Sequence, residues 1–253
     1  MRIAFISDIH NYCDSKQGAE RIIAATEKEA PDLVLLGGDI ISVIKERHEA
    51  PDITAACAWI TKLARCRTVI YAEGNHEARF RERYPDVYKD YRTSLEAAGV
   101  IFLIDGKVNY RDIDIYGVSI DDIYYKKRIP LIGTDAVMPE KYLIGKLGLP
   151  DGLKFNILLM HSPMFLEEAA DWGAGLVLSG HFHGGTIRLP GGRGLMSPQF
   201  HFFNKYCSGV HKKGNTTMIV SRGLGTHTFN IRLNDLPELS IIDIYIKSVA
   251  KRL

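Results

Sequence analysis

Five short clusters of metal-ligating residues, each at the end of an apolar run, constrain this chain more than any other feature. They are Asp8-Ile9-His10, Gly38-Asp39, Gly74-Asn75-His76-Glu77, His161 and Gly180-His181-Phe182-His183. Five of the nine histidines fall inside them. Most of the runs that precede them are short and apolar and read as strands. Ligands on loops at the ends of neighbouring strands converge on one point, so the fold has to set these strand ends side by side. Taken singly, an Asp after a strand is most often a turn former or a helix cap, and each glycine-bearing motif is compatible with a simple turn. Taken together, they form a metal-dependent hydrolytic constellation.

The runs between the motifs give an element order. Residues 2–7, 33–36 and 68–71 read as strands, separated by helices at 15–29 and 52–65. In the second helix Ile53, Ala56, Cys57, Ile60, Leu63 and Ala64 recur at helical spacing. This strand–helix–strand rhythm predicts parallel pairing with crossover helices. A helix over 86–98 follows, then three closely spaced strands at 100–103, 107–110 and 113–118, whose Asp and Gly turns suggest hairpins. A helix near 139–147 leads to strands at 155–160, 176–179, 186–189, 217–220 and 239–246. A parallel first half and a more antiparallel second half predict an α/β fold: a four-layer αββα sandwich of two mixed β-sheets flanked by helices, in one domain over residues 1–253.

A hydrophobic content of 46% is ample for such a core, and a formal charge of +2 gives no signal for nucleic acid. The cysteines Cys13, Cys57, Cys66 and Cys207 are scattered and read as reduced thiols. Cys13, three residues past His10, is the one to watch as an oxidation liability, with an inert thiol as the plainer reading. The first strand starts at the N-terminus and no run approaches the roughly 20 apolar residues of a membrane span, so a cytoplasmic location is expected.

In the ligand motifs, Asp8 and His10 stand at i and i+2, which share one side of an extended strand end. Asp39 offers two oxygens and can bridge two cations. Asn75 offers a neutral carbonyl oxygen. His181 and His183 again stand at i and i+2, either serving one metal each or facing one cleft. Nitrogen and oxygen ligands without thiolate suit Mn, Fe, Zn or Co and disfavour a closed structural zinc site.

The order of these motifs, from Asp8 to His183, resembles that of the calcineurin-like metallophosphoesterase superfamily, with no motif missing. A shorter stretch, residues 220–226 with Leu236-Pro237-Glu238-Leu239, is similar to a bacterial branch of predicted phosphodiesterases. That branch includes membrane-tethered members and members that cleave UDP-2,3-diacylglucosamine. The resemblance implies two divalent metal ions, with Asp8, His10 and His183 on one, Asn75, His161 and His181 on the other, and Asp39 bridging. It gives His76 the place of a catalytic, non-ligand histidine that stabilises the transition state and protonates the leaving alkoxide. The implied reaction is in-line attack on phosphorus by a metal-bridging hydroxide. In the phosphoprotein-phosphatase branch an aspartate three residues past the bridging one orients that histidine. Here the position is Ser42, so another group orients His76 or its role as acid is weaker.

Other residues invite a substrate role. Arg222, Tyr12 and Asn11 are candidate substrate contacts. Arg222 has a fold-stabilising arginine as its plain alternative. Arg79, Arg81 and Arg83 read as a solvated charged face with one arginine able to edge the cleft. Gly223 and Gly225 read as turn formers. Residues 190–215 form a long aromatic-rich loop, either an apolar wall for a lipid or nucleoside or a lid over the sheet edge, and with it comes peripheral membrane contact as an option. The expected activity is a phosphodiesterase or pyrophosphatase acting on a small-molecule or lipid-linked phosphoester. Its rivals are a nuclease or cyclic-nucleotide phosphodiesterase on the same scaffold, and a non-catalytic scaffold that binds protein partners.

Overall fold

The computed structural model describes residues 1–10, 12–43, 49–126, 136–185, 187–188, 194–195, 199, 202–226 and 232–245. Strands β1 (Arg2–Ile6), β2 (Leu33–Leu36), β3 (Thr68–Ala72) and β4 (Ile101–Leu103) run parallel in one sheet. Helices α1 (Lys16–Glu29) and α2 (Thr54–Ala64) form the first two crossovers, and α3 (Asn75–Arg83) with α4 (Pro85–Ala97) forms the third. The second sheet orders β5 (Gly106–Tyr110), β6 (Ile113–Val118), β7 (Phe155–Met160), β8 (Leu176–Ser179), β10 (Thr216–Val220) and β9 (Gly209–Lys213). Helix α5 (Tyr142–Leu147) links β6 to β7, and α6 (Leu166–Trp172) links β7 to β8. The chain returns to the first sheet as β11 (Ser240–Asp243), antiparallel to β1.

Burial on both faces of the strands produces four layers. Along β1, Ile3 and Phe5 face the second sheet while Ala4 and Ile6 face the helices, because successive strand residues point to opposite sides. Between the sheets, Ile3, Phe5, Leu33 and Leu35 meet Ile115, Ile157, Leu159 and Leu178. One outer layer packs Ile22, Ile60, Leu63 and Tyr91 of α1, α2 and α4 against Val34, Leu36 and Tyr71. The other packs Leu143, Ala169 and Trp172 of α5 and α6 against Tyr116, Leu158 and Val177. The αββα expectation stands.

Several details differ from the sequence reading. The centre of the second sheet is parallel, since β6, β7, β8 and β10 pair in parallel and only its edges are antiparallel. The strands at 101–103 and 106–110 are not a hairpin, because β4 belongs to the first sheet and only β5–β6 turns back on itself. Short spacing here marks a crossing from one sheet to the other. Strand β9 lies inside the stretch read as a loop, and of the strand expected at 186–189 the described Ile187 and Arg188 form only isolated bridges to Leu233 and Gly194. Residue 246 of the last expected strand lies outside the described residues. Helix α3 went unseen because its buried face carries Asn75, His76 and Glu77 in place of an apolar stripe. Among the described residues no helix is long and apolar enough to cross a membrane.

The sheet-to-sheet layer dominates stability. Replacing Leu159, 1% exposed, with Ala should lower the unfolding free energy by about 2–5 kcal/mol. Leu153→Ala, at a side chain 97% exposed, should change it by less than about 0.5 kcal/mol. Urea titration of the two variants distinguishes them.

Candidate active site

Every ligand motif sits just past the carboxyl end of a parallel strand. Asp8 follows β1, Asp39 follows β2, Gly74 to Glu77 follow β3, His161 follows β7, and His181 and His183 follow β8. Crevices at this edge are where open α/β sheets bind ligands. The two sheets bring the same edge to one place, and the loops are stitched together there. Asp8 N–H donates to the Gly38 carbonyl at 3.0 Å and His10 N–H to the Asp39 carbonyl at 3.1 Å. His181 N–H donates to the Asp8 carboxylate at 2.9 Å, and Gly180 N–H to the His161 carbonyl at 3.0 Å.

The i, i+2 pairs converge by a route different from the extended one expected. Asp8, His10, Asp39, His181 and His183 all have left-handed backbones, with φ of 52°, 47°, 53°, 69° and 47°. Such residues cost on the order of 1 kcal/mol or more each and persist where their surroundings over-determine them. The motif glycines provide part of that surrounding. A Cβ on Gly180 would collide with the Asp8 carboxylate, and one on Gly38, itself at φ 90°, would collide with Gly74.

The side chains form a buried cluster. Ligand atoms of Asp8, His10 and His183 lie within 4.8 Å of one another, as do those of Asp39, His161 and His181 and those of His10, Asp39 and His76. His10 Nε2 and His183 Nε2 face each other at 3.1 Å, with the rings stacked. His161 Nε2 stands 3.0 Å from Asp39 Oδ2. Asn75 is 6% exposed, and its Oδ1 has no hydrogen-bond partner among the described residues. An orphaned carbonyl oxygen beside carboxylates and inward-facing imidazoles fits divalent cations.

The outer nitrogens of these rings are held from behind. His161 Nδ1 contacts the Gly37 carbonyl at 2.8 Å, His183 Nδ1 the Gly225 carbonyl at 3.4 Å, and His10 Nδ1 the Ser42 hydroxyl at 2.8 Å. Such contacts fix ring orientation and tautomer. Ser42, the departure noted in the sequence, thus serves His10. The orienting group for His76 is the Val43 backbone, whose N–H donates to His76 Nδ1 at 2.9 Å. Nδ1 therefore accepts, and the ring proton resides on Nε2.

Glu77 organises the assembly, although the sequence reading left it inside its motif without a role. Its fully buried carboxylate accepts the N–H groups of Asp39, Ile40, Ile41 and Gly74 and the Tyr71 hydroxyl. Burial, then Asp39, pushes its pKa up to about 7 against the pull of these donors. Burial also works against the His161 imidazolium, but Asp39 and Asp8 outweigh it and push the ring up to about 10. Asp8 is pushed up to about 6, mainly by burial.

Tyr125, on a 3-10 turn, is a second residue for which the sequence held no signal. Its ring stands 4.8 Å from that of His181 and walls the cluster. Arg79 donates to Asp122 on that turn at 3.0 Å and is mostly covered, whereas Arg81 stays exposed while pairing with the buried Glu73. Arg222 donates its Nε to Glu238 at 2.6 Å. Behind it Arg232 donates to the carbonyls of Arg222 and Gly225 and to Asp235. Gly223 and Gly225 press on the backbone of Asp8 and Ile9, in keeping with a turn role. Tyr12 packs on the helix-side core, and Asn11 lies outside the described residues. All four cysteines are unpaired, and burial, then Asp14, pushes Cys13 up to about 12, which leaves an inert thiol.

Residues 1–185 match the family described as calcineurin-like phosphoesterase. The uncharacterized metallophosphoesterase YkuE of Bacillus subtilis is 34% identical over 248 residues, 95% of this chain and 76% of its own length. The phosphodiesterase YaeI of Escherichia coli is 23% identical over 96% of this chain and 82% of its own. Among solved structures, Yfce, a phosphoesterase from E. coli, aligns with 87% of this chain and 78% of its own at 12% identity and a TM-score of 0.37.

Two outcomes are expected. With a His161 pKa of about 10, metal-free protein at pH 8 holds a proton that an incoming cation must displace. Calorimetry of Mn(II) binding in buffers of different ionisation enthalpy should register about one released proton per chain; a buffer-independent heat would contradict this. Glu77→Gln turns one of two acceptor oxygens into a donor facing N–H groups. It should cost about 3 kcal/mol of stability in urea titration.

Proposed function

The chain belongs to the calcineurin-like phosphoesterase family, and on that premise we propose that it is a dinuclear metal-dependent phosphodiesterase. The observation that carries this reading is the buried meeting of nitrogen and oxygen ligands from both sheets, with the Asn75 amide oxygen left without a partner among the described residues. Asp8, His10 and His183 would hold one divalent ion, and Asn75, His161 and His181 a second, with the Asp39 carboxylate available to either. Bound there, the ions supply charge stabilisation for the phosphoryl oxygens and an activated water. The ligand chemistry suits Mn, Fe, Zn or Co.

The chain's own residues do the positioning. The Gly37 carbonyl, the Ser42 hydroxyl and the Gly225 carbonyl turn the Nε2 atoms of His161, His10 and His183 inward. Asp39 accepts the His76 backbone N–H at 2.9 Å, which ties the loop bearing His76 to the metal side of the site. With Val43 fixing its Nδ1, His76 presents Nε2–H and donates it to the leaving oxygen. The E. coli relative's name supports a diester substrate.

Metal-stripped protein should be inactive on bis-p-nitrophenyl phosphate and regain turnover with Mn, Fe, Zn or Co. His76→Ala should lower kcat by about 10²–10⁴, more on an alkyl ester than on a p-nitrophenyl ester, whose leaving group needs less help. Asp39→Asn should lose both activity and one equivalent of bound metal. Absence of turnover with every metal, in protein carrying two ions per chain, would sink the assignment.

A further inference from the structure

Residues 222–226 and 232–238 lie beyond the part of the chain that matches the family, yet they reach the ligand cluster. Leu224 N–H and Gly225 N–H both donate to the Asp8 carbonyl, at 3.2 and 2.7 Å, and the Gly225 carbonyl faces His183 Nδ1 at 3.4 Å. Gly225 thus touches two ligands of one proposed ion, Asp8 through its N–H and His183 through its carbonyl. The His183 contact is at the long end of hydrogen bonding, so the aim of the ring depends on where that carbonyl is held. Arg232 holds it. Its Nη2 donates to the carbonyls of Gly225 and Arg222, the latter at 3.0 Å, and its Nη1 donates to Asp235 Oδ2 at 3.2 Å. Asp235 closes the clamp from the other side. Its carboxylate lies against Gly184, where a Cβ would collide with it, and Gly184, at φ 65°, is the residue after His183.

Stability alone does not account for this pair. Both side chains are out of water, Arg232 at 10% and Asp235 at 0% exposure. Burial lowers the Arg232 pKa and raises that of Asp235, in each case ahead of the attraction between them. Ion pairs in such surroundings contribute little net stability, and removing both charges together is far less disruptive than removing one. What a guanidinium supplies here is geometry. Its planar fork reaches three acceptors in fixed directions, which a lysine ammonium cannot do. The fork thereby joins the segment carrying Gly225 to the backbone that follows His183.

We propose that Arg232, held by Asp235, is a positioning residue for the metal ligand His183, acting through the Gly225 carbonyl. This role rests on the dinuclear reading, in which His183 holds an ion with Asp8 and His10. Held in this way, the carbonyl accepts the His183 Nδ1–H and leaves Nε2 as the ligand atom. The stretch at 220–226 then serves the metal side of the site. Arg222, its side chain tied to Glu238, contributes its own carbonyl as the second anchor of the fork.

The test titrates metal-stripped protein with Mn(II) and reads the affinity of each of the two ions. Arg232→Lys should weaken one ion by about 10–100-fold, the usual effect of losing an outer support of a ligand, and leave the other nearly unchanged. Arg232→Met combined with Asp235→Asn removes both charges; it should still unfold cooperatively in urea and should weaken the same ion. Leu143→Ala, in the core packing of α5 at 2% exposure, should lose stability without changing either ion. His183→Ala should weaken the same ion as Arg232→Lys. Adding Arg232→Lys to His183→Ala should weaken binding no further, because the two residues act in one chain of contacts. Two ions bound as tightly in Arg232→Lys and in the neutral double variant as in the unaltered protein would overturn the role of Arg232 and leave the dinuclear reading intact. Equal weakening of both ions, matched by Leu143→Ala, would reduce Arg232 to a structural residue, as would loss of cooperative unfolding in both Arg232 variants. Unaltered protein that binds no ion would remove the dinuclear reading and the positioning role together.

Discussion

One buried carboxylate holds the site in shape. Glu77 receives three consecutive N–H groups of the loop after β2, the Gly74 N–H at the start of α3 and the Tyr71 hydroxyl from β3. Charge-assisted hydrogen bonds of this kind contribute about 1.5–3 kcal/mol each, and far more is lost if a buried donor is left without its acceptor. The same contacts set the positions of Asp39, Asn75, His76 and, through Val43, the His76 ring. Structural and chemical roles therefore cannot be separated in this loop: a side chain that touches neither substrate nor metal decides where the ligands stand.

Strain is the counterpart of that support. Five non-glycine residues of the ligand motifs lie in the left-handed region, where a β-carbon crowds the following carbonyl. The free energy that keeps them there comes from the rest of the fold, in which both sheets bury two faces and the layers interdigitate. Metal-free, the cluster brings two carboxylates and several imidazoles into a dry site, where a proton on His161 stands in for part of the missing positive charge. The chain is thus folded around a charge deficit that suits cations.

The substrate side follows a different logic. Arg222, which the sequence offers as an anion-binding residue, is tied to Glu238, and Arg79 and Arg81 are tied to Asp122 and Glu73. These arginines are engaged in the fold.

The amino-acid sequence by itself determined the four layers and the identity of the metal-ligand candidates. Both are written in local patterns: apolar runs buried on two faces, helical spacing in α1 and α2, and Asp, Asn and His placed directly after strands. The left-handed backbones, the Val43 contact to His76, the Ser42 contact to His10, and the places of Glu77 and Tyr125 were decided only by the tertiary structure. Each depends on partners far apart in sequence: Asp8 meets His181 across 173 positions and His161 meets Gly37 across 124. Helix α3 shows the same limit, since Phe80 is the one apolar residue among its buried Asn75, His76 and Glu77 and leaves no periodic signal. Local periodicity records which side of an element is buried; it does not record which distant atom a buried polar group will find.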